Sequence, residues 1–249
     1  MDFPIRPHYL SRLWQYILRF FMPWACAGCR TALAELEDVG FCGRCWLSIP
    51  RLETLVCRLC GVPLKDGGRI CFSCRNDPSS ILIRAAVTYT GIIPDAIYRF
   101  KYAGRRSMAD SLSLLMASAF ERYPELQPVD LLLPVPLHPK NEHVRGYNQA
   151  ALLAQCLSRR IRIPSNGKTL IRLRRTRPQF KLGRPSRRSN LKEAFGLHPN
   201  AQAASTLRKR TVLLIDDICT TGTTLTECAR LLRGTGAAEV KALVLARDL

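Results

Sequence analysis

Residues Thr211–Leu225 read TVLLIDDICTTGTTL. Val212–Ile215 is a short, bounded apolar run of the kind buried in parallel sheets. Asp216 and Asp217 stand at its C-terminal end, where α/β sheets carry ligand chemistry. A small hydroxylated turn follows, Thr220-Thr221-Gly222-Thr223-Thr224, and then an apolar-periodic helix (Leu225, Cys228, Ala229, Leu231, Leu232) that stops at Gly234. Thr224 and Glu227 have capping-box spacing for its start. Backbone N–H groups at a helix N-terminus form a concave anion site, and the helix dipole favours a phosphate there. Gly222 allows close approach of the backbone, and the Thr hydroxyls add donors. Two carboxylates beside a phosphate would repel it. They fit if they hold another part of the same ligand, such as sugar hydroxyls or a bridging Mg2+. A phosphorylated pentose meets both requirements; the bland alternative is a strand, turn and helix with solvated acids.

No Lys follows the glycine, so this is not a Walker A loop, and GxGxxG is absent, so it is not a dinucleotide fingerprint. The stretch resembles the loop of type I phosphoribosyltransferases that binds phosphoribosyl pyrophosphate (PRPP): four apolar residues, two acids, two mostly apolar residues, then a Thr/Gly cradle. Cys219, between acids and cradle, departs from that pattern and is expected to pack.

At 249 residues and 47% apolar content, the chain has room for one sizeable core and a small module, and it is globular in composition. The net charge of +19 is uneven: 13 Lys or Arg and no acid lie between Arg159 and Lys192. Such a segment attracts polyanions, or else forms a solvated, self-repelling loop. The N-terminus is aromatic and apolar, and reads as an amphipathic helix over Tyr9–Phe21. Arg12 and Arg19 interrupt it and no small-residue cleavage site precedes the cysteines, so a signal peptide is not expected. It is too short and too charged to span a bilayer. Packing on the body of the protein is favoured over a membrane surface, which places the chain in the cytoplasm, with the inner membrane surface as the other site.

Eight of the eleven cysteines fall in four CxxC pairs: Cys26/Cys29, Cys42/Cys45, Cys57/Cys60 and Cys71/Cys74. Two-residue spacing lets both thiolates of a knuckle reach one Zn2+, and two knuckles complete a tetrahedral site. Disulfides do not suit a cytoplasmic chain, and a redox role suits one exposed CxxC rather than four. Two closed structural zincs are expected. Pairing in sequence order is favoured over cross-bracing because closing shorter loops costs less entropy. The metals stand in for a core in so small a module.

Residues 75–80 read as a linker. Ile81–Tyr89 reads as a strand, and Pro94–Tyr102 and Ser107–Arg122 as helices. Leu112, Leu115, Met116, Ala119 and Phe120 share one face of the second helix. Lys101 is placed either in the active crevice or simply on the surface. Asp130–Pro134 is read as the first strand of the catalytic sheet, Gln149–Arg160 as a helix, and Thr169–Leu173 as the next strand. His138 and His143 read as ordinary polar surface. The loop after residue 173 is long enough to be functional or disordered.

Taken together, FFMPWACAGC with the CxxC series, PVPLHPKNEHVRGYNQ, RTRPQFKLGRPSRRSNLKEAF and LIDDICTTGTTL resemble the ComF/GntX family over nearly the whole chain. The resemblance implies an α/β fold: a type I phosphoribosyltransferase-like, mainly parallel twisted sheet flanked by helices, preceded by a double zinc ribbon. The expected division is residues 1–24, 25–77 and 81–249. It implies PRPP with Mg2+ as ligand. Thr220, Thr221, Gly222, Thr223 and Thr224 would take the 5-phosphate and Asp216 and Asp217 the ribose diol. Arg145, Lys101 and the loop residues Arg174, Arg177, Gln179, Arg187 and Asn190 would take the pyrophosphate side. It also implies DNA uptake or utilisation, with competence-machinery proteins as partners. The expected activity is phosphoribosyl transfer. The alternative is a non-catalytic single-stranded-DNA-binding zinc protein, with Phe180, Tyr147 or Tyr102 stacking bases.

Overall fold

The computed structural model describes residues 25–33, 40–52, 55–64, 67–77, 79–174, 193–199 and 202–249. The expected helix at Tyr9–Phe21 lies outside these residues, as do Arg177, Gln179, Phe180, Arg187 and Asn190. In chain order the elements are α1 (Gly43–Leu47) and α2 (Phe72–Arg75) in the cysteine module, then β1 (Leu82–Thr88), α3 (Ile93–Tyr102), α4 (Met108–Arg122), β2 (Leu131–Pro134), α5 (Pro139–Arg145), α6 (Gln149–Ile161), β3 (Leu170–Arg172), β4 (Phe195–Leu197), α7 (Gln202–Leu207), β5 (Thr211–Cys219), α8 (Thr223–Gly234) and β6 (Glu239–Arg247).

Four strands form one sheet in the order β1-β6-β5-β2, and every pairing in it is parallel. Val212–Ile215 is fully buried in β5 because both faces of the sheet are covered. On one face Leu213 and Ile215 pack with Phe100, Leu112, Met116, Leu153 and Leu157 from α3, α4 and α6. On the other, Val212 and Leu214 pack with Leu225, Cys228, Ala229 and Leu232 from α8. Each such side chain contributes about 1.5–3 kcal/mol by leaving water, so β5 is fixed from both sides. The face expected on 107–122 is the buried face of α4.

Two expectations about the sheet need correction. The strand near 81–89 is β1, and it joins the same sheet at the edge beyond β6, so 130–134 is not the sheet's first strand. The run at 169–173 gives β3, which leaves the sheet and pairs antiparallel with β4 (Leu170 with Leu197, Arg172 with Phe195). Its place at the edge of β2 is already taken. Leu132 N–H donates to Pro164 O (2.9 Å) and Asn166 N–H to Leu132 O (3.0 Å). A strand assignment read from composition carries no information about which edge is free.

The cysteine module is not a separate bead. Cys26, Ala27, Phe41, Cys45 and Ile49 belong to the same apolar cluster as α3 and α4.

Candidate functional site

β2 and β5 are neighbours, yet the helices that follow them cover opposite faces of the sheet: α6 on one, α8 on the other. Such a switch point opens a crevice at the carboxyl ends of the strands. β2 ends at Pro134 opposite Ile215, while β5 continues beside β6 as far as Cys219. Asp216 and Asp217 therefore lie on β5 just where its β2-side neighbour has stopped. Beyond them, Gly222 sits at φ 80°, a left-handed conformation that suits glycine, and caps the N-terminus of α8 without a side chain. Thr221 and Thr223 hydroxyls lie 2.8 Å apart at this turn. The capping box does not form: the helix begins at Thr223, and Glu227 reaches Arg230 (3.2 Å) instead.

Lys101, at the end of α3, places Nζ 2.9 Å from Asp217 Oδ2, with both side chains largely buried. The lysine thus reaches across to the acids of β5. Burial disfavours its ammonium, but the two aspartates outweigh burial and hold its pKa above the ordinary lysine value. Burial and the adjoining Asp217 charge push the Asp216 carboxyl up to about 7, against the opposing pull of the Asp217 N–H, Lys101 and Arg172. The crevice therefore holds two acids that compete for charge, with one partner lysine.

Arg145 closes α5, whose C-cap is left-handed Gly146. Its guanidinium donates to Tyr102 Oη (2.9 Å) and Gln149 Oε1 (3.0 Å), and lies over the Tyr102 ring. Tyr102 follows Lys101 in α3, so Arg145 lies against the end of the helix that carries the lysine. His138 has a structural role at the surface: its Nδ1 accepts from Lys140 N–H and caps α5. Asn148 caps α6 in the same way through Ala150 and Ala151. Tyr147 is buried with its hydroxyl donating to Phe100 O, so it is not a base-stacking surface. Tyr102 is exposed. Cys219 packs as expected, and burial keeps it a thiol with its pKa raised to about 11.

The eight CxxC cysteines gather in sequence order into two sets: 26/29/42/45 and 57/60/71/74. Within each set all four sulfurs lie within 4.8 Å of one another. The S–S contacts of 3.7 Å (Cys29–Cys42) and 3.6 Å (Cys60–Cys71) are close to the edge of a tetrahedron with Zn–S bonds of about 2.3 Å. Backbone N–H groups of Gly28 and Cys42 donate to Cys26 Sγ, and that of Cys71 to Cys57 Sγ, as stabilised thiolates require. The Thr31 hydroxyl lowers the Cys29 pKa to about 6, whereas burial and neighbouring thiols push Cys45 up to about 12. Four sulfurs so close cannot all ionise without a cation, and Zn2+ fits both sets.

Two family models match this chain: a double zinc ribbon domain over residues 17–75 and a phosphoribosyl transferase domain over residues 148–249. Competence protein F of Haemophilus influenzae is 34% identical over 232 residues, covering 91% of this chain and 98% of that protein. DNA utilization protein YhgH of Escherichia coli K12 is 33% identical over 92% of this chain and 99% of its own length. Competence protein ComFC of Bacillus subtilis is 31% identical over 85% of each. The chain belongs to the ComF/GntX family. The fold is that of a type I phosphoribosyltransferase domain behind a double zinc ribbon. Two further basic side chains bear on these residues. Arg172 lies over the Phe195 ring and acts on Asp216, with burial lowering its own pKa. Arg106 donates to Gly146 O (2.6 Å) and covers the Tyr147 ring. Both arrive from other elements, and no local sequence signal marks them. No helix among the described residues is long and apolar enough to cross a membrane.

Proposed function

We propose that this chain binds PRPP with Mg2+ and transfers its phosphoribosyl group, in the service of DNA uptake or utilisation. The observation that carries this reading is the pairing of Lys101 with Asp217 beside half-buried Asp216, at the end of β5 and one turn before the left-handed Gly222. Thr220–Thr224 would hold the 5-phosphate on the α8 amides, and Asp216 and Asp217 the ribose diol. Arg145 and Lys101, with Arg177 and Arg187 from the basic loop, would hold the pyrophosphate. Mg2+ fits here because it takes one or two carboxylates together with substrate phosphates, and a cation would relieve the raised Asp216 pKa. When bound between these carboxylates and the substrate phosphates, Mg2+ would supply neutralisation of the leaving pyrophosphate's charge. In the reaction, the bond from the anomeric carbon to pyrophosphate breaks with its electron pair on the leaving oxygen, and the acceptor nucleophile forms the new bond. The protein's part is positioning and charge stabilisation rather than base catalysis. The reading keeps a division into 1–24, 25–77 and 81–249, within which the ribbon match spans 17–75 and the transferase match 148–249, and a cytoplasmic site of action. Calorimetry with PRPP and Mg2+ tests the reading: the Asp216→Asn/Asp217→Asn double variant should lose binding, and unchanged affinity rules it out. Turnover of isotope-labelled PRPP with candidate acceptors, with and without single-stranded DNA, tests the transfer step.

A second reading is favoured by the 13 cations without an acid between Arg159 and Lys192 and by the printed names of the relatives. In it the basic segment tracks single-stranded DNA while Tyr102 stacks a base, and competence-machinery proteins are the partners. Affinity for an oligonucleotide should fall steeply with salt; a flat response would end this reading.

A further inference from the structure

The second cysteine cluster and the Thr220–Thr224 turn share one space. Cys60, Cys71 and Cys74 line a cavity of about 620 Å³ together with Thr220, Thr221 and Thr223. One buried side chain joins the two walls. Arg247, the last residue of β6 and 4% exposed, donates from Nη1 to Cys60 O (2.7 Å) and to Cys219 Sγ (3.2 Å). One residue on, Asp248 N–H donates to Cys219 O (3.0 Å), so the end of β5 is held by β6 through backbone as well. Cys219 is the residue at which β5 ends and the turn begins. The start of the turn is therefore held by the same guanidinium that holds the Cys57–Cys60 knuckle. Among the described residues the cluster 26/29/42/45 has no such tie to the turn; it packs on α3 and α4 on the other face of the sheet.

We propose that Arg247 is a positioning residue for the phosphate turn, and that metal at the second cluster and an anion on the turn reinforce each other through it. This rests on the proposed role of the turn as a phosphate site. Linkage makes the effect reciprocal: whatever the metal adds to anion affinity, the anion adds to metal retention. The cluster near α3 and α4 is the internal control.

The test is zinc release from the full-length two-zinc protein into excess chelator, followed with a chromophoric indicator. It is run with and without saturating ribose 5-phosphate, with chloride matching ionic strength. The Cys29→Ser variant assigns the phase belonging to the first cluster. Ribose 5-phosphate should slow release from the second cluster about fivefold or more and leave the first cluster's rate unchanged. In Arg247→Lys and in Cys219→Ala, release should be equally fast with and without ligand. A purely structural arginine would change both rates and leave their ratio intact, so an unchanged ratio in either variant overturns the proposal. If one variant does not fold, the other and the wild-type ratio still decide. Ribose 5-phosphate that fails to bind by calorimetry would instead sink the phosphate reading of the turn. Ligand that binds while both clusters release zinc at the ligand-free rate would sink the coupling alone.

Discussion

The first and second cysteine knuckles share a backbone course and differ in what leans on them. After each knuckle the chain enters the left-handed region, at Arg30 (φ 67°) in the first and Gly61 (φ 72°) in the second. Arg30 is exposed, so its side chain costs little. At Gly61 a Cβ would stand 2.5 Å from Ile83 O, a backbone atom that cannot give way. The carbonyls differ as well. The first knuckle's Cys26 O receives one donor from the body, Arg99 (3.2 Å). In the second, Arg84 donates to Cys57 O, Arg58 O and Leu59 O, Ile83 N–H to Leu59 O and Arg247 to Cys60 O. Identical metal chemistry is thus held mainly by apolar packing in one case and by hydrogen bonds from the sheet in the other. The second knuckle is in that sense part of the phosphoribosyltransferase-like domain.

The sharpest way to break this comparison is Gly61→Ala. It should cost about 2–4 kcal/mol, from the forced contact and the left-handed φ, and weaken zinc at the second cluster; a wild-type denaturation midpoint would refute the close approach. Next, Arg84→Met removes the side-chain donor to Arg58 O, one of the donors to Cys57 O and Leu59 O, and the ion pair with Glu125, and should cost about 2–3 kcal/mol, against about 1 kcal/mol for Arg99→Met. Equal losses in urea unfolding would mean that the knuckles are held alike.

A smaller effect distinguishes the crevice beside the second knuckle by pH. Asp216 has its folded pKa raised to about 7, so the folded chain holds this proton more tightly than the unfolded one. Stability from this group therefore falls as pH rises from about 4, the unfolded carboxylate value, to about 7, and is level above that. Asp216→Asn should gain melting temperature over wild type as pH rises from 5 to 8; a constant difference would contradict the burial of that charge. The smallest change expected is at Arg30→Gly, within about 0.5 kcal/mol of wild type, and a loss as large as that of Gly61→Ala would erase the contrast between the knuckles.

Sequence alone determined the parts whose chemistry is local. The CxxC spacing set the metal sites, because two thiols two residues apart must face one ion. The run Val212–Ile215 with Asp216, Asp217 and the Thr/Gly turn set the strand, its acids and the helix that follows, though not the residue that caps it, since periodicity and turn chemistry act within a few residues. Tertiary structure decided the rest. It put Lys101 on Asp217 across 116 positions of chain, brought Arg172 to Asp216, sent β3 away from an edge already occupied, and made Arg247 the link between the second cluster and the turn. Long-range contacts of this kind depend on which faces and edges remain open after the sheet has formed, and a pattern read along the chain does not contain that geometry.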